Sequence, residues 1–80
     1  MTEITNNDRA AWAEIAINNF RNEVMQGEDD DTTIGDLLAN ILHYCDQYGV
    51  DFDARLTTAR MHFEAEIIEA SFEAEIRLTK

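Results

Sequence analysis

Apolar residues recur every three or four positions in three blocks of this chain, at the 100° per residue period of an α-helix. In the first block, Ala13, Ala16, Ile17, Phe20 and Val24 make one stripe with Trp12 at its edge. Ile15 falls outside that stripe, so more than one side of this helix calls for a cover. In the second, Ile34, Leu37, Leu38, Ile41, Cys45 and Tyr48 share a face that Leu42 widens. Asp36, Asn40, His43 and Gln47 lie opposite, the division expected of an amphipathic helix. The third block carries two stripes. Phe52, Leu56, Ala59, Phe63, Ile67, Ala70 and Ala74 form one, expected to pack on the first two helices. Met61, Ile68, Phe72 and Ile76 form another on nearly the opposite side.

Punctuation between the blocks places the helix ends. Thr5 followed by Asp8 offers a capping box at the first start, with Asn6 or Asn7 as alternative caps, and Gly27 a left-handed stop after the first helix. Thr33 with Asp36 predicts the second start. Gly49 supplies a left-handed stop, Val50 folds back on the last turn, and Asp51 caps the third helix, with Asp53 in its first turn. No Gly or Pro interrupts the third block. The reading is one helical domain over residues 1–80, with helices at about 7–26, 33–48 and 52–77. Its fold class is all-α: a three-helix antiparallel bundle or hairpin with a long C-terminal helix. At 1.5 Å per residue the third helix is about 38 Å long against about 24 Å for the second. Three helices of unequal length do not easily cover both stripes of the longest, so a homodimer is expected, with Met61, Ile68, Phe72 and Ile76 at its interface. The alternative is that the first helix wraps round or the third breaks near Ser71 and folds back.

Charge sharpens this picture. The 80 residues carry seventeen acids against six bases, a formal charge of -11. That disfavours direct binding to nucleic acid or to an anionic membrane, both of which need basic surface. It suits a basic protein partner. A hydrophobic fraction of 45% is too high for a disordered acidic tail. The lone Cys45 excludes an internal disulfide, no zinc set is present, and no window approaches a membrane span. The polar start is not a signal peptide, so a cytoplasmic protein is expected.

Candidate chemistry is sparse. Glu28, Asp29, Asp30 and Asp31 form the one charge run, read as a solvated loop with capping value or as a patch facing a basic partner. It lacks the spaced oxygens and central Gly of a calcium loop. Glu66, Glu69 and Glu73 share a helix face with His62 one turn earlier, and with Asp36 they are the candidate metal ligands, Mg²⁺ being the cation such carboxylates would take. Cys45 and His43 point to opposite sides of their helix and form no nucleophile–base pair. No glycine-rich phosphate cradle, H-E-x-x-H or G-x-S-x-G is present, so no catalytic residue and no cofactor is assigned.

Two resemblances add to these residues. Ile34-Gly35-Asp36-Leu37-Leu38 through Tyr48-Gly49-Val50-Asp51-Phe52 resembles the last part of the all-α, MazG-like nucleoside triphosphate pyrophosphohydrolases. There an E-x-x-D pair on a helix holds Mg²⁺. Asp36 matches the aspartate of that pair, but Thr33 stands where the glutamate belongs and no E-E-x-x-E motif precedes it. Most of the metal set is therefore missing. Residues 33–66, with D-L-L-A-N-I-L-H-Y-C-D-Q-Y-G-V-D-F-D and A-R-M-H-F-E-A-E, resemble small uncharacterised acidic proteins of phages, plasmids and bacteria. That resemblance implies an accessory role: an inhibitor or adaptor that binds a basic host or defence protein, sometimes by imitating the charge of DNA. The expectation is a non-enzymatic, acidic protein-interaction module; the alternative is a Mg²⁺-dependent nucleotide hydrolase with a degenerate metal site.

Overall fold

The first helix begins at the expected box. In the computed structural model, which describes residues 3–78, Thr5 Oγ1 accepts from the Asp8 N–H at 3.2 Å and Asp8 Oδ2 accepts from the Thr5 N–H at 2.9 Å. Two N–H groups that a helix start leaves bare are thereby satisfied. Helix α1 spans Asn6–Val24. It stops two residues short of the expected end, at Met25, whose N–H reaches the Arg21 carbonyl. Gly27, at φ 84, turns the chain in a conformation that L side chains avoid.

Helix α2, Asp30–Tyr48, starts three residues earlier than Thr33 and Asp36 suggest, because Asp29 is the cap. Its Oδ1 accepts from the Thr32 N–H at 2.8 Å. A carboxylate outcompetes a hydroxyl at this place, since its full charge also meets the positive end of the helix dipole. Thr33 is drawn inside the first turn and is buried at 0% exposure. At the other end, Gly49 adopts φ 70 and the Val50 N–H closes on the Cys45 carbonyl at 2.9 Å. Two residues later α3 begins, with Asp51 Oδ1 accepting from the Ala54 N–H at 3.0 Å. Helix α3 runs Phe52–Leu78, 27 residues, about 40 Å at 1.5 Å per residue. The fold is all-α, three helices with a long third.

Helix α1 is the common neighbour, packing on α2 and on α3. Little closes around it. Among the described residues only Cys45, at 8% exposure, and Thr33 are buried. Ile17, Phe20, Met25, Leu37 and Phe52 are half-buried. Cys45 does point inward as its position on α2 requires. Apart from Leu37, the rest of that face stays open: Ile34, Leu38 and Ile41 are exposed, and Tyr48 is 67% exposed.

The expected packing of α3 is corrected here. Phe63 is 63% exposed, and Leu56 and Ile67 are also exposed, so the first stripe does not lie under α1 and α2. The physical reason is where α1 touches: its first turn meets α3 around Glu66, at one edge of the first stripe, and leaves Phe63 and Ile67 uncovered.

The dimensions agree. The chain measures 50 × 30 × 25 Å with a radius of gyration of 16.3 Å, against about 12 Å for a compact chain of this length. Its accessible surface is 6957 Å². A compact monomer of 9.2 kDa would expose about 4,900 Å². This single copy therefore leaves about 2,000 Å² more in water than its mass requires.

Candidate functional site

Three places concentrate the features singled out in the sequence. The first is the corner between α1 and α2, where the acidic run lies. Asp29 caps α2, and Asp30 and Asp31 occupy its first turn. Hydrogen bonds from Thr32, first from its backbone N–H, hold the Asp29 carboxyl below its ordinary range, and Arg21 adds a smaller attraction. Arg21 ties the corner together: one guanidinium nitrogen donates to Asn18 Oδ1 at 2.7 Å and another pairs with Asp30. Three of the four acids thus serve the start of α2, and all four remain exposed to solvent. Behind them, Thr33 Oγ1 and Arg21 Nε are buried with no hydrogen-bond partner.

The second place is the junction of α1 with α3. Arg9 Nε pairs with Glu66 Oε2 at 2.9 Å, and Arg9 Nη1 donates to Asn6 Oδ1 at 2.9 Å. Asn6 Nδ2 reaches the Glu66 backbone carbonyl at 3.2 Å. An open groove of about 690 Å³ runs beside this junction, with Ile4, Arg9, Glu66, Glu69, Ala70 and Glu73 among its walls. Three of the candidate metal ligands, Glu66, Glu69 and Glu73, therefore share one groove. Glu66 is engaged by Arg9, a partner that sequence spacing does not reveal because the two residues are far apart in the chain. Asp36 stands on α2 and His62 on the exposed surface of α3, and neither lines the groove. Among the described residues, no group of three or more His, Cys, Asp or Glu is placed to hold a metal ion.

The third place is the apolar surface of α3 and α2. Met61, Ile68, Phe72 and Ile76 are all exposed, Ile68 at 68% and Phe72 at 62%. On α2, Tyr44 and Tyr48 set their rings against each other, tilted, with centres 4.5 Å apart, and both are exposed. Trp12 and Ile15 stand out from α1. Single apolar side chains at a surface are ordinary, but whole stripes of large ones mark an interaction surface. The sequence shows the Met61–Ile76 stripe through its period. It does not show that the stripe through Phe63 is open as well, because that depends on where α1 crosses.

Cys45 is buried on α2, and His43 and His62 are exposed on different helices. No helix among the described residues is long and apolar enough to cross a membrane. Compared with known proteins, the chain matches no family model, no curated protein and no solved structure. The arrangement leaves apolar stripes open to solvent, with exposed carboxylates around them.

Proposed function

We propose that this chain is a small protein-interaction module that works by association rather than by chemistry, and that its acidic surface receives a basic protein partner. One observation carries the reading: a surface of 6957 Å², rich in open apolar stripes, on a chain with a formal charge of -11. An apolar stripe needs a cover, and a strongly acidic surround speeds and selects the encounter with basic surface. The exposed acids Glu28 and Asp31 by the α2 start, with Asp36 and Asp46 further along that helix, are the partner-facing carboxylates. In the setting suggested by the resemblance to phage and plasmid proteins, such a module acts as an inhibitor or adaptor of a host protein.

Affinity capture with the whole chain at physiological salt tests this, run beside a variant carrying Glu28→Gln, Asp31→Asn, Asp36→Asn and Asp46→Asn. The expected result is a basic protein retained by the native chain and lost by the variant. Recovery of the same proteins by both, or of no basic protein by either, would refute the acidic-docking reading. Turnover of a nucleoside triphosphate with Mg²⁺, abolished by Asp36→Asn, would instead establish the hydrolase alternative.

A further inference from the structure

We propose that the α3 stripe running from Ala54 through Met61 and Ile68 to Phe72 is covered by the same stripe of a second copy, lying antiparallel across a two-fold axis. The proposal rests on the reading of this chain as an association module, and it names the first partner as the chain itself. Area is the first argument. About 2,000 Å² of surplus surface per copy, matched by the same on a second copy, falls within the roughly 2,000–5,000 Å² that obligate homodimers bury. One helix seam is too small to use all of it. On α2, Leu38 and Leu42 are further large apolar side chains left exposed on each copy.

Spacing is the second argument. Ala54, Thr58, Met61, Ala65, Ile68 and Phe72 follow one another at intervals of four and three residues. That alternation is the heptad seam of paired helices, and it spans most of α3. Met61, Ile68 and Phe72 on this seam are exposed in the single copy.

Side-chain size then chooses the direction. When two copies run antiparallel and cross near residue 63, Phe72 lies opposite Ala54, Ile68 opposite Thr58, and Met61 opposite Ala65. Every large side chain meets a small one, the interdigitation that close packing requires. A parallel pair would set Phe72 on Phe72 and Ala54 on Ala54, jamming one layer and emptying another.

Charge agrees with size. Arg55 and Arg60 lie in the first third of α3 with Asp53, whereas Glu64, Glu66, Glu69, Glu73 and Glu75 make the rest acidic apart from Arg77. Parallel copies would align acid with acid along most of their length. In the antiparallel register Arg55, beside the seam, comes alongside Glu69 of the second copy, twice by symmetry. Glu64 meets its own copy near the axis and Glu75 comes opposite Asp51 at each end, the like-charge approaches this register leaves along the seam.

The test is sedimentation equilibrium of the whole chain with charge swaps at the seam edge. The native chain is expected to sediment at twice its 9.2 kDa mass. Arg55→Glu and Glu69→Arg should each raise the dimer dissociation constant at least tenfold, and the two together should return it to within about threefold of the native value. Circular dichroism of each variant checks that its helices are intact. A monomer at all concentrations, an assembly larger than two, or a dimer that the combined swap fails to rescue would overturn the proposal. A native monomer that still captures a basic protein would overturn self-pairing alone and leave the association reading standing.

Discussion

The corner where α1 meets α2 and the length of α3 are built on opposite terms. At the corner several groups have work within the chain: Asp29 caps, Arg21 joins Asn18 to Asp30, and Gly27 makes the turn. It also holds Thr33, the most buried side chain among the described residues. Helix α3 is 27 residues long, is fixed firmly at its start by Asp51, and touches α1 chiefly through Glu66. Its two apolar stripes face outward. The corner is therefore self-sufficient, held by short-range groups, whereas α3 carries large apolar side chains whose stabilisation is realised only when something covers them. Local contacts set the shape of one copy, and most of its large apolar side chains stay in water.

Substitutions should separate the two regions, beginning with the largest effect. Ile68→Asp with Phe72→Asp places two carboxylates where the proposed seam would bury them, and several kcal/mol of pairing free energy should be lost. Sedimentation should show the dimer abolished, with thermal unfolding shifted well below that of the native chain. Gly49→Ala comes next. No atom stands within 4 Å of an added Cβ, so the cost is that of φ 70 alone, about 1–2 kcal/mol. Denaturant titration should show a lower midpoint with an unchanged slope.

Asp29→Ala removes the cap of α2 and should lower stability at neutral pH. Its pH dependence has a definite sign. The carboxyl is held below its ordinary value in the folded chain. Its contribution is therefore present above the ordinary carboxylate range and is lost as pH falls through the lowered value. Unfolding curves of native chain and variant, well separated at pH 7, should converge in acid. Thr33→Val should act in the opposite direction. It replaces a buried hydroxyl that has no partner with a methyl of similar shape, so a gain of up to about 1 kcal/mol is expected in the same titration. Smallest of all is Arg9→Met. The Arg9–Glu66 pair is partly exposed, and such pairs contribute about 0–1 kcal/mol, less in high salt. A loss larger than that from this one pair would show that the α1–α3 junction matters more than its exposure suggests.

Legibility in the residues divides along the same line. The Thr5–Asp8 box, the Gly49 stop and the Asp51 cap depend on neighbours within a few positions, and each stands where its spacing places it. The start of α2 is harder to read because Asp29 and Thr33 are both good caps, and the carboxylate wins through its charge. The two stripes of α3 are plain in the period of its apolar residues. Which stripe α1 would cover is not, because the crossing is decided by Arg9 and Asn6 meeting Glu66, a contact between distant parts of the chain. The candidate metal ligands illustrate the same limit. Helical spacing brings Glu66, Glu69 and Glu73 to one edge, but only the tertiary structure shows an arginine there and leaves Asp36 and His62 elsewhere.

The central claim is that this fold is completed by a second copy, and concentration is the variable that reaches it most directly. Thermal unfolding of the native chain, followed by circular dichroism over a hundredfold range of concentration, makes folding and pairing visible as one equilibrium. If they are linked, the midpoint should rise with concentration by about 5–10 °C across that range. A cooperative transition whose midpoint stays fixed from the lowest concentration to the highest would contradict the claim.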